Sequence, residues 1–175
     1  MITALWASNP GDRKSIHFLF DLLSQNFSTT FISENHFLQK GHGPELLLYE
    51  AQSITSCRLS PCMIIIPPGS SVKLGKDFDF NTLFILSTEQ KKILHSLVKL
   101  NLRTLTCGAS PKDSITFSSK NEDELVVSLQ RSVTTYKGRT IDPFEYPIKR
   151  APHTDDFTAM AYVAILVETG FIDKN

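Results

Sequence analysis

The chain has 175 residues, 41% of them hydrophobic and 21% charged, enough for one domain with a sizeable core. Eighteen basic residues balance eighteen acidic ones, so no net charge draws it to nucleic acid or to an anionic membrane. No apolar run approaches the ~20 residues that span a bilayer, and three cysteines, Cys57, Cys62 and Cys107, are too sparse and odd a set for a disulfide framework; the expected compartment is the cytoplasm.

Ile2 to Ala7 reads as an apolar strand, and it meets a polar turn, Ser8-Asn9-Pro10-Gly11-Asp12-Arg13-Lys14-Ser15. The turn comes too early for this run to be a signal peptide. Ser15 to Phe27 follows as an amphipathic helix with Ile16, Leu19, Phe20, Leu23 and Phe27 on one stripe. A strand, a polar loop and then Lys-Ser at a helix mouth is the frame of a phosphate-binding loop, in which backbone N–H groups wrap a phosphate and the lysine adds a point charge. Ser8 and Arg13 stand at its two glycine positions. The functional reading gives Gly11, Arg13, Lys14 and Ser15 to nucleotide or anion binding, with Ser15 also on magnesium; the alternative is a solvated turn with a helix cap. Pro10 removes one backbone donor and Arg13 adds a side chain where a phosphate must approach closely, although its guanidinium is itself an anion contact.

Thr29 to Ser33 is expected to return as a parallel strand, Glu34 to Pro44 to be irregular, and Leu46 to Tyr49 and Cys62 to Ile66 to be strands buried on both faces. Ser70 to Asn81 reads as a polar loop after Pro67-Pro68-Gly69. Leu83 to Leu86 is a further buried strand, Glu89 to Asn101 a helix with Ile93, Leu94, Leu97 and Leu100 inward, and Arg103 to Thr106 re-enters the sheet. Ser114 to Phe117, Leu125 to Val133 and Thr140 to Ile148 then read as an antiparallel extension. A helix follows, opened by Thr154-Asp155-Asp156, with Phe157, Met160, Ala161, Ala164 and Val167 inward and Gly170 as its stop. The expected architecture is one α/β domain over 1–175: a mainly parallel, Rossmann-like or P-loop-like sheet with flanking helices and an antiparallel extension near the C-terminus.

In this order the landmarks resemble the central, ATP-binding domain of the Mur ligases, a family of amide-forming enzymes. Ile2 to Ser15 is similar to the strand and G-T-N-G-K-T loop of that family, and Leu46-Leu47-Leu48-Tyr49-Glu50 to its strand ending in a magnesium-holding glutamate. Phe84-Ile85-Leu86-Ser87 and Arg103-Thr104-Leu105-Thr106-Cys107-Gly108 resemble later strands, and His153 to Gly170 the closing His-Asn-x-x-Asn helix. The resemblance implies ATP with magnesium as cofactor, with Glu50 and Ser15 as metal ligands. The departures fall on chemistry: Pro67-Pro68 stands at the Thr-Asn element, no Asp-His pair follows it, and Thr154 and Phe157 replace the two asparagines. The expected function is therefore a non-catalytic Mur-ligase-like domain, a binding or interaction module with residual nucleotide or anion binding at the 8–15 loop and a protein partner or a second copy of itself. The alternative is an ATP-dependent amide ligase or phosphotransferase subunit completed by another chain.

Other candidates are weaker. Cys57 and Cys62 lack a second ligand pair for zinc and read as unlinked thiols. Cys107 is a nucleophile only if His153 or His95 comes within reach; its alternative is a buried structural thiol. No two of the five histidines share a ligand spacing on a helix.

Overall fold

The computed structural model describes residues 1–7, 13–150 and 155–172. Strand β1 (Ile2–Ala7) leads to helix α1 (Arg13–Leu23), which buries Ile16, Leu19, Phe20, Leu22 and Leu23. Its stripe is the expected one, and Phe27 beyond it is buried as well. Strand β2 (Ser28–Ile32) is paired antiparallel by β3 (Phe37–Lys40) and parallel by β4 (Glu45–Ala51). β3 corrects the expectation of an irregular 34–44 segment. All four of its residues are exposed, so it carries none of the apolar alternation by which a half-buried strand is recognised.

Strand β5 (Ser53–Cys57) leaves the main sheet, β6 (Cys62–Ile66) re-enters it, and β7 (Lys73–Phe78) returns to pair parallel with β5 as a separate ribbon. The segment read as a polar loop over 70–81 thus contains a strand. Its tight approach to β5 rests on Gly75, where a Cβ would lie 1.7 Å from the Thr55 carbonyl oxygen. β8 (Leu83–Ser87) is buried at every position, as β6 is, which is what strands layered on both faces require. Helix α2 (Lys91–Lys99) buries only Leu97, and Leu100, expected inward, lies just past its end and is exposed.

Strand β9 (Arg103–Cys107) continues the parallel set. β10 (Ile115–Lys120) pairs parallel with β9 and antiparallel with β11 (Glu124–Leu129). The two long strands expected over 125–133 and 140–148 are each divided: β12 (Val133–Thr134) and β13 (Thr140–Ile141) form a small ribbon of their own, and β14 (Phe144–Lys149) pairs antiparallel with β11. The main sheet has ten strands in the order β14-β11-β10-β9-β8-β6-β1-β4-β2-β3, the mainly parallel sheet with antiparallel extension that the sequence predicts.

Helix α3 (Asp156–Thr169) is buried continuously from Phe157 to Glu168, the condition of a helix apolar on every side. Asp155 caps it, accepting from Thr158 N at 2.8 Å and Thr158 Oγ1 at 2.6 Å. Gly170, at φ 68°, ends it in a Schellman turn, with Phe171 N donating to Leu166 O and Gly170 N to Val167 O, both at 3.0 Å. α1 and α3 cover one face of the sheet, over Trp6, Leu48, Ile65, Ile85 and Leu105. The β5/β7 ribbon and α2 cover the other, over Ile64, Ile66, Phe84 and Leu86.

Candidate functional site

In an open parallel sheet, ligands bind beyond the carboxyl ends of the strands where successive connections depart in opposite directions. That point lies between β1 and β6, which are neighbours: β1 leads through α1 towards β2, and β6 leads through β7 to β8 on the other side. The rim there is tied together. Ser70 Oγ donates to Ala7 O, the last residue of β1, at 3.0 Å, and Gln90 Nε2 donates to Pro67 O at 3.1 Å and Ser70 O at 3.0 Å. These bonds fix the proline turn that follows β6 to both β1 and the start of α2.

The residues expected to bind a phosphate open α1. Arg13 and Lys14 are exposed in its first turn and Ser15 is half-buried; Gly11, with the rest of 8–12, lies outside the described residues. Helix N-terminal N–H groups and the helix dipole favour an anion at this position. Parallel pairing aligns Trp6 of β1 with Glu50 of β4. Alternation along β4 puts the half-buried Glu50 on the face of the buried Leu46 and Leu48, the face that α1 covers. Parallel pairing thus sets Glu50 beside the end of β1, the strand that leads to α1 and its opening residues Arg13, Lys14 and Ser15. A hydroxyl and a carboxylate are hard oxygen donors of the kind magnesium takes.

Trp6 is fully buried, and its Nε1 has no acceptor among the described residues. Its ring meets that of Phe157 edge-on, with centroids 6.2 Å apart. Phe157 is itself buried at the start of α3. Phe157, at a position where the resemblance implies an asparagine, thus packs on Trp6 in the interior.

A second cluster lies at the tips of β8 and β9. Asp113 is buried, with Oδ2 accepting from Ser110 N at 3.0 Å and Oδ1 without a partner among the described residues. It packs on Gly108, where a Cβ would come within 2.4 Å of Asp113 Oδ2 and 2.7 Å of Thr88 Oγ1. Burial, reinforced by the neighbouring Asp113 carboxylate, pushes the Cys107 thiol far above its ordinary range. A suppressed thiolate is the reverse of what a nucleophile needs. His95 is exposed on α2, and His153 lies outside the described residues. Cys57 and Cys62 are buried free thiols with Sγ atoms 3.2 Å apart, and burial with the adjoining Cys57 raises Cys62 strongly. Among the described residues no cluster of three or more His, Cys, Asp or Glu is arranged to hold a metal.

No family model and no curated protein matches the chain. Solved structures do. The chain aligns over 97% of its length with the ADP complex of MurF ligase from Thermotoga maritima, at TM-score 0.58 and 12% identity. The fold is Mur-ligase-like. A murein peptide ligase, Mpl, from Psychrobacter arcticus aligns over 97% of the chain at TM-score 0.52 and 6% identity. The chain spans 45% and 44% of the lengths of these two proteins, so the Mur-ligase-like region corresponds to less than half of either. At such identities the likeness carries architecture, and site chemistry has to be argued from the residues themselves.

Proposed function

We propose that this Mur-ligase-like chain works as a binding or interaction module with an anion site at the tips of β1 and β4, and that it is not a self-sufficient ligase. Lys14 and Arg13 supply the charge, the α1 N-terminus with Gly11 and Ser15 the donors, and Glu50 with Ser15 the ligands for a magnesium ion carried in with a nucleotide. The observation that carries the reading is the Trp6–Phe157 contact: with an aromatic pair in place of the amide, the site keeps its phosphate end and loses a polar contact for the base. Pro67-Pro68, fastened by Gln90 and Ser70, supports it, because a second polar element is replaced by a rigid turn.

The test is calorimetry with MgADP, MgATP and inorganic pyrophosphate, repeated on Lys14→Ala. The reading expects weak binding in which pyrophosphate matches MgADP, reduced about tenfold or more in the variant, the scale of one charge-assisted contact. Tight MgATP binding that Lys14→Ala abolishes, accompanied by phosphate release, would overturn it in favour of the second reading, a nucleotide-dependent ligase or phosphotransferase subunit completed by another chain. The feature supporting that alternative is that Glu50 pairs in register beside the end of β1, the strand that leads to Lys14 and Ser15 at the opening of α1.

A further inference from the structure

The core between the main sheet and the β5/β7 ribbon holds two of the chain's three cysteines. Cys57 is the last residue of β5 and Cys62 the first of β6, and the Cys57 thiol donates to Cys62 Sγ at 3.2 Å. Cys107 belongs to the core under α1 and α3, so the sheet itself keeps it from the pair. A structural cysteine needs only an apolar neighbourhood; two held sulfur to sulfur are also placed for a bond. A disulfide has its sulfurs ~2.05 Å apart, so bonding asks for about 1 Å of approach. Residues 58–60, which connect the two cysteines, are exposed and can yield that distance without disturbing either core.

A bond here would hold more than two residues. The ribbon is a two-stranded sheet of its own, not hydrogen-bonded into the main one. Its strands end together: Asp79 N donates to Cys57 O at 3.1 Å, and Arg58 pairs with Asp77 of β7 at 2.9 Å. Fastening Cys57 to β6 therefore fastens both strands.

We propose that Cys57 and Cys62 are a dithiol–disulfide couple, a modification site at which a small disulfide of the glutathione class oxidises the pair and staples the ribbon to the main sheet. The couple is independent of the anion site. Cys57 enters first, being 6% exposed beside the open 58–60 segment while Cys62 is 1% exposed. Its thiolate attacks one sulfur of the oxidant and expels the first small thiolate, leaving a mixed disulfide on Cys57. Cys62 then gives up its proton, and its sulfur attacks Cys57 Sγ and expels the second. The two thiol protons end on the two released thiols, and two electrons pass from the protein sulfurs to the oxidant. Burial and the adjoining Cys57 hold the Cys62 thiol protonated, which suits a resolving sulfur, needed only once the mixed disulfide stands next to it.

The experiment equilibrates the full chain, folded and in urea, with mixtures of reduced and oxidised glutathione, then quenches with acid, alkylates and maps tryptic peptides. Trypsin cuts after Arg58, so a Cys57–Cys62 disulfide joins peptides 41–58 and 59–73, which part on reduction. The expected product is that joined pair, with Cys107 alkylated. The effective concentration of the pair should be at least tenfold higher in the folded chain than in urea, since the fold already holds the sulfurs together. By reciprocity the oxidised protein then has the higher urea midpoint, and the amides of 53–57 and 73–78 exchange about tenfold more slowly in it. Cys62→Ala should stop at one glutathione adduct on Cys57, and Cys107→Ser should leave the couple unchanged. A folded chain that forms no such bond, a bond no more favourable folded than in urea, an adduct left unresolved in the unaltered protein, or a lower midpoint on oxidation would each overturn the proposal. Should either variant fail to fold, the peptide map and the two effective concentrations of the unaltered protein decide alone.

Discussion

Replacing Arg103 by alanine is expected to destabilise the protein by about 3–5 kcal/mol, the cost of stranding a buried charge. The Glu168 side chain, near the end of α3, is 2% exposed, and Arg103 at the start of β9 is 25% exposed. The guanidinium grips the carboxylate in a two-pronged arrangement, Nη1 to Oε1 at 2.6 Å and Nη2 to Oε2 at 2.9 Å, and also donates to Asn81 O and Thr134 O. Without it Glu168 is left with the Tyr136 N–H, at 3.2 Å. The two lost charge-assisted bonds, at about 1.5–3 kcal/mol each, reach the same range. Since a domain's whole stability is about 5–15 kcal/mol, the variant should show a large fall in urea midpoint with an unchanged slope. Arg103→Lys, a point charge with no fork, should recover only part of the loss. Arg103→Leu combined with Glu168→Leu should be far less damaging than Arg103→Ala, because it removes both charges together. A loss under about 1 kcal/mol for Arg103→Ala, the value of an exposed ion pair, would refute the reasoning, as would a double variant no better than the single one.

Further outcomes are expected from the other features. Trp6 is the sole tryptophan and is fully buried, so native emission should be blue-shifted and inaccessible to acrylamide, and an anion bound at the 8–15 loop should perturb it; red, quenchable native emission would contradict that burial. Gly75→Ala forces a Cβ onto the Thr55 carbonyl and should part β7 from β5, seen as rapid amide exchange in 53–57 and 73–78; full protection in the variant would show the ribbon to be more yielding than described. Burial raises the pKa values of Cys62, Cys107 and Tyr162 above their unfolded values. The folded state thus holds these protons longer, and the stabilisation should be lost as pH rises above the unfolded pKa, about 8.5 for the two thiols and about 10 for Tyr162, by up to ~1.4 kcal/mol per pH unit for each group. Denaturant midpoints that do not fall between neutral and strongly alkaline pH would contradict it.

The parts of the fold legible in the sequence are those whose burial is two-sided or strictly periodic. β6 and β8 are uninterrupted apolar runs, and α1 shows its stripe at helical spacing, because packing leaves a mark at every turn. β3, β5 and β7 were hidden for the opposite reason. Exposed Phe37, Gln39 and Lys40, or the serines and lysines of the ribbon, are held by backbone pairing and by one glycine contact, neither of which has a composition. The breaks after Leu129 and Ile141 fall at Gln130-Arg131-Ser132 and at Asp142-Pro143, short polar or proline interruptions with β-prone residues on both sides; Gly138 marks the turn between β12 and β13 and not the ends of β11 and β14. At the candidate site, Lys14, Ser15 and Glu50 could be picked out singly, but the packing of Trp6 on Phe157 joins residues 151 positions apart in the chain.

The burial of α3 has a consequence for how the molecule comes into being. Every strand that helix packs on, from β1 through β11, precedes it in chain order. During vectorial synthesis the sheet face over Trp6, Ile65, Ile85 and Leu105 therefore waits, half covered by α1, until the fourteen residues of α3 have left the ribosome. Little of this helix can stand in water while it waits in turn for the sheet, since it has no polar face. Folding by this chain is thus a late closure: the interval before α3 docks is when its apolar surface is most open to chaperones, and a lesion in α3 should show itself as poor yield sooner than as altered binding.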